Sequence, residues 1–136
     1  MSTQRTYHTL WLGDESWSTE VTEDGAQVAL QNNTTSTQFL PICKHRVQLL
    51  KELVREASLW INHDDGATRV YKAHVLHEAN MQFTTTGDEF ATLEIATDET
   101  VWTLDGITEY DLCQWVKHCD AILADFDRMP QGRCHH

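Results

Sequence analysis

The 136-residue chain offers few side chains at spacings that chemistry could use. His74 and His77 come nearest to a metal pair. They fall in a stretch of strand character, where a separation of three puts side chains on opposite faces, so one ion cannot bridge them without a bulge. Cys113, His118 and Cys119 share a helical stretch. Cys119 lies in its apolar stripe, where a free cysteine behaves as a small hydrophobe. Cys113 precedes it by six residues, about 240° around a helix, so the two thiols diverge. Cys134-His135-His136 is a terminal run that would hold ligands poorly, and it equally reads as a purification-tag remnant. Asp64-Asp65-Gly66 resembles half a calcium loop that lacks the closing bidentate glutamate. No Cys-x-x-Cys pair, phosphate loop or Gly-x-Ser-x-Gly elbow occurs. The expectation is a non-enzymatic protein with no metal, no cofactor and no catalytic residue.

One basic cluster contradicts its local setting. Lys44-His45-Arg46 opens the first helical stretch, where positive charge opposes the helix dipole. The segment 43–55 carries Lys44, Arg46, Lys51 and Arg55 against Glu52, a local +3 that leaves −14 on the rest of a chain whose net charge is −11. A phosphate-binding surface needs the reverse sign, at least locally. Lys44, Lys51 and Arg55 are expected on one side of that helix, away from its apolar stripe. The candidate partner-binding residues are therefore Lys44, Arg46, Lys51 and Arg55, with Trp11, Trp17 and Tyr71 as exposed aromatics able to stack.

The elements that must position these residues are legible from periodicity. The clearest helix covers 108–126. Thr108 stands at an N-cap, Glu109 and Asp111 occupy the first turn, and apolar residues recur at Leu112, Trp115, Cys119, Ile122 and Phe126. Sixty-five residues upstream stand Val47, Leu50, Val54, Ala57 and Ile61, apolar at every position. The same offset, read without a gap, places Ile107 on Ile42, Leu104 on Phe39, Ile95 on Leu30, Leu93 on Val28, Ala91 on Ala26 and Val75 on Leu10. A duplicated unit is the natural reading. Strands are expected over 7–12, 16–22, 26–30 and 37–42 before a helix over about 44–61. A second set is expected over 68–77, 81–86, 90–97 and 100–104, with Asp105-Gly106 breaking the last strand before the second helix. Asp120, Asp125 and Asp127, late in that helix, are expected to face water. The predicted fold is α+β, two ββββα repeats over about 7–61 and 68–126, with helices packed on antiparallel sheets in a single domain, 1–136.

Composition fits that outline. Apolar content of 40% and five tryptophans indicate a globular core, and no apolar run reaches the length of a membrane span. The N-terminus lacks the apolar segment of a signal peptide, so the four cysteines read as reduced thiols in a cytoplasmic protein.

Four antiparallel strands and a helix, given twice, resemble the Whirly type of single-strand nucleic-acid-binding fold and the related transcriptional coactivators. The likeness rests on Trp102-Thr103-Leu104-Asp105-Gly106-Ile107-Thr108 leading into Tyr110, Leu112, Trp115 and 120–123. The resemblance implies a strand surface whose lysines and aromatics grip nucleic acid. This chain offers only Arg69 and Lys72 on its strands. Net charge therefore favours a protein partner, approached by an inhibitor, an adaptor or a nucleic-acid mimic. The alternative is a single-stranded nucleic-acid binder that uses the basic first helix and the aromatics. Oligomeric state is left open.

Overall fold

The computed structural model describes residues 5–129. Each half lays down four strands and then a helix. The first half holds β1 (Thr6–Leu12), β2 (Glu15–Thr22), β3 (Gly25–Gln31), β4 (Ser36–Gln38) and α1 (Lys44–Trp60). The second holds β5 (Arg69–Leu76), β6 (Ala79–Thr85), β7 (Ala91–Ala96), β8 (Val101–Ile107) and α2 (Glu109–Arg128). Strands pair in chain order into two antiparallel sheets, β1-β2-β3-β4 and β5-β6-β7-β8. The α+β class and the two ββββα repeats expected from the sequence are what the chain forms.

Strand register carries the duplication further and corrects it. Ala26 bridges Ile42 as Ala91 pairs with Ile107, and Leu30 faces Thr37 as Ile95 faces Trp102. All are 65 apart, as are the buried helix positions Val54 and Cys119, and the buried Ile61, just past the end of α1, and Phe126. The offset does not hold throughout. Val21 faces Ala26 but Thr85 faces Ala91, so the β6–β7 turn is one residue longer and β6 matches β2 at 64. Thr6 faces Val21 and Arg69 faces Thr85, so β5 begins at 63. A bulge between Ala73 and Leu76 restores 64, with Leu12 opposite Glu15 and Leu76 opposite Ala79. Val75 is therefore not the counterpart of Leu10. Turns and bulges absorb such single-residue changes because few contacts depend on them.

Two strand ends also differ from expectation. Asp105-Gly106 does not end β8. Ala91 pairs with Ile107 and Leu93 with Leu104, so Asp105 and Gly106 oppose Thr92 alone, a bulge that Gly106 accommodates at φ 71°. In the first half Pro41 supplies no amide hydrogen. There β4 is only three residues long, and Ile42 rejoins the sheet through its single bridge to Ala26.

Each helix packs chiefly on the sheet of the other half, α1 across β5 and β6 and α2 across β1 and β2, and the helices pack on each other. One buried cluster results. At its centre the Trp115 ring lies 4.9 Å from Trp17 of the first sheet and 5.7 Å from Phe83 of the second. α2 begins with a capping box, in which Thr108 Oγ1 accepts from the Asp111 amide and Asp111 Oδ2 accepts from the Thr108 amide. α1 has neither a side-chain cap nor an acidic first turn. Among the described residues no helix is long and apolar enough to cross a membrane.

Candidate functional site

The basic start of α1 is explained by tertiary partners. Arg46 is only 9% exposed and turns away from solvent. Its Nη1 donates to the carbonyls of His74 and Val75 at 2.9 and 3.2 Å, satisfying the oxygens that the β5 bulge turns outward. Lys44 Nζ lies 2.7 Å from Asp127, and Lys51 Nζ lies 2.6 Å from Asp120. Two of the late carboxylates of α2 therefore face the lysines of α1 rather than water alone. The expected basic face is not assembled: Arg46 is a structural residue, and Lys44 and Lys51 point to α2. Arg55, one helical turn beyond Lys51, stands among the residues of a groove instead.

The aromatics divide as sharply. Trp17 is fully buried against Trp115 and cannot stack on a ligand. It sits on the inward side of β2 with Thr19 and Val21, a period-two pattern that could have assigned it to the core. Trp11 is 64% exposed on the outer face of β1. Tyr71 is half-buried on β5, where burial pushes its phenol up, the Arg69 charge pulls it back and Glu56 adds to the rise.

Tyr71 and Arg55 border the same groove, about 660 Å³, between α1 and β5. Its helical wall carries Leu49, Leu53 and Leu59 with Glu52, Arg55 and Glu56, and its strand wall is 70–73. Leu59 and Val70, 67% and 48% exposed, form apolar lips. Of the candidate residues, the structure brings only Arg55 and Tyr71 together. Leu59 and Val70 escaped attention because each is an ordinary apolar residue, although Leu59 lies off the buried stripe of α1.

The structural counterpart of this seam, between α2 and β1, is held by polar side chains. Asp125 is 2% exposed, not in water as its position suggested, and accepts from Thr6 at 2.6 Å. It also lies 2.5 Å from His8 Nε2 and contacts Arg128. Burial would raise this carboxyl, but the hydrogen bonds from Thr6 and His8 outweigh it and hold the group below the usual carboxylate range. All of these interactions tie α2 to β1 or to itself.

No protein-family model, curated protein or solved structure matches this chain. The site is therefore read from its own residues.

Among the described residues no three metal-ligating side chains converge. His74 is exposed and bonds Asn80, while His77 has left the strand for the β5–β6 turn. Cys134-His135-His136 lies outside the described residues. Cys43 is disulfide-bonded, whereas the sequence suggested four reduced thiols. That removes one support for a cytoplasmic location. Chemically, the α1–β5 groove can offer apolar contact and a lining of balanced charge, with Glu52 and Glu56 beside Arg55 and Lys72.

Proposed function

We propose that this is a small, acidic, non-enzymatic binding protein that acts through a protein partner, as an inhibitor, adaptor or nucleic-acid mimic. One observation carries the reading: Lys44 and Lys51 are held by Asp127 and Asp120. With Arg46 buried as well, the chain presents a net charge of −11 with no concentrated cationic face among the described residues. Such a surface attracts a basic protein and repels phosphate at long range. The α1–β5 groove supplies the apolar contact area that charge alone does not.

Pull-down of the tagged protein from its native lysate, with and without nuclease, tests this. A stoichiometric protein partner that survives nuclease is expected. Recovery of nucleic acid alone, lost on digestion, would overturn the reading. It would favour the second one, single-stranded nucleic-acid binding of the kind the Whirly resemblance implies. The exposed Trp11 and Tyr7 on β1 support that alternative as stacking platforms.

A further inference from the structure

We propose that the outer face of the first sheet binds a neutral oligosaccharide, a run of linked pyranose rings laid along β1. This goes beyond the protein-partner reading and uses a different surface from the α1–β5 groove. Tyr7, Thr9 and Trp11 alternate along β1 with the inward His8 and Leu10. Tyr7 and Trp11, 65% and 64% exposed, therefore stand on one face, four residues or about 13 Å apart. Between them Thr9 and Ser18, paired across β1 and β2, bring their hydroxyls to 3.4 Å. Two recesses of about 220 and 270 Å³ meet at this pair, one bordered by Tyr7 and the other by Trp11. The result is a trough with an aromatic ring at each end and hydroxyls between. Gln31, Gln38 and Asn33 add amides along its far margin.

A pyranose chain suits each part of this trough. Its C–H groups, slightly positive, lie against the negative face of an aromatic ring. Its hydroxyls both donate and accept, as serine, threonine, asparagine and glutamine side chains together do. Charge argues against the other occupants. No Lys or Arg borders either recess. The carboxylates there are Asp14, in the β1–β2 turn, and Glu20, which Arg5 approaches at 3.6 Å. His8, which also borders one recess, is turned to Asp125. A phosphate backbone would thus meet two carboxylates, with Arg5 already beside one of them. An apolar peptide would find two separated rings on a hydroxyl floor.

The second sheet shows what the fold itself requires of an outer face. By the strand offsets of 63, 64 and 65, Val70, Lys72 and His74 stand where the first sheet has Tyr7, Thr9 and Trp11. Glu94 stands at Ala29, and Thr84 at Glu20. That face is polar too, as one side of an antiparallel sheet in water must be. It carries no tryptophan or tyrosine on its outer side, and it sets Lys72 and Glu94 where the first sheet is uncharged. The paired rings and the neutral floor between them are therefore particular to the first sheet.

Affinity electrophoresis of the full chain through gels cast with hydroxyethylcellulose, xylan or galactomannan tests this, with polygalacturonate as the charged control. Retardation by at least one neutral polysaccharide is expected, and none by polygalacturonate. Trp11→Ala should weaken that retardation at least tenfold, and Trp11→Phe should keep most of it. Tyr7→Ala, at the other end of the trough, should weaken it as well. All three variants should melt as the wild type does, because both rings stand outside the core. The proposal is overturned by a lack of retardation in every neutral gel, by equal retardation in polygalacturonate, or by unchanged retardation of Trp11→Ala and Tyr7→Ala. Binding of a single-stranded oligonucleotide that Trp11→Ala removes, with no retardation by the neutral gels, would give the face to nucleic acid and also overturn it. Trp11→Ala should leave recovery of a lysate protein partner unchanged, so this site and the protein-partner reading fail separately.

Discussion

His118 Nε2 on α2 lies 3.0 Å from Thr19 Oγ1 on β2, a buried bond between the helix of one repeat and the sheet of the other. Its counterpart positions, by the offsets of 65 and 64, are Leu53 and Phe83, both apolar. Together with His8 and Asp125 against Tyr71 and Trp60, this makes one helix–sheet seam the more polar at matched positions. Duplication kept the backbone plan while these positions took different chemistries.

The polar seam makes stability depend on acid. Burial, reinforced by the nearby His8, pushes His118 down to about 4. Between its ordinary value near 6.5 and about 4 the unfolded chain binds a proton that the folded chain does not, so stability falls as pH falls through that window. Below it the folded His118 also titrates and this loss levels off. Asp125, held below its ordinary range, adds a loss that begins only under about pH 3.8. His118→Leu with Thr19→Val, copying the apolar character of the counterpart positions, should flatten the dependence of Tm on pH between 6.5 and 4. His118→Leu alone should cost about 1–3 kcal/mol at pH 7, since it strands the Thr19 hydroxyl. An unchanged pH profile in the double variant would refute the assignment.

Two glycines should separate strain from crowding. Gly25 sits at φ 127°, and a Cβ there would lie 2.6 Å from the Ile42 carbonyl oxygen, at the bridge that holds Ile42 to Ala26. Gly106 has φ 71° with open space around it. Gly106→Ala should cost about 1–2 kcal/mol, the left-handed conformation alone. Gly25→Ala should cost clearly more, because backbone must move as well. Denaturant midpoints give the order, and the reverse order would contradict the close approach.

How far the sequence revealed this follows from what periodicity can encode. The apolar stripes of both helices, and Thr108 with Asp111 as a capping box, are local patterns that specify their own structure. The β5 bulge is not local, and the reason for Arg46 at the start of α1 lies 28 residues away in the carbonyl of His74. The basic cluster therefore looked like a surface patch when half of it is internal compensation. Trp17 was misplaced for a different reason: aromatic type suggested stacking, although its alternation with Thr19 and Val21 pointed inward. The groove was invisible because its two walls, on α1 and at 70–73 of β5, are brought together only by the tertiary fold, which no spacing records.

Thiol chemistry should follow burial. Cys119 is fully buried, and that burial, with the Asp120 charge, pushes its thiol up to about 12. Cys113 is exposed on the same helix. A thiol reagent at pH 8 should label Cys113 in the folded protein and Cys119 only after unfolding, because thiolate and access are both required. Peptide mapping of the labelled native protein checks this, and prompt labelling of Cys119 would place it wrongly in the core.

The final prediction separates the two binding readings through salt. If Lys44, Arg46, Lys51 and Arg55 all reached phosphates, counterion release would give a log–log salt slope no steeper than about −3 on a single strand. The structure leaves fewer, since Arg46 serves the β5 carbonyls and each lysine already faces a carboxylate. A random single-stranded oligonucleotide is therefore expected not to bind at micromolar protein and physiological salt. Lys44→Glu with Lys51→Glu should leave the fold intact, because exposed ion pairs of this kind are each worth about 0–1 kcal/mol. Fluorescence anisotropy over a salt series, with circular dichroism of the variant, measures both. Tight oligonucleotide binding that the double reversal abolishes would transfer the function to nucleic acid. Binding that survives the reversal would point to the aromatic face of β1, where Trp11 and Tyr7 stand exposed.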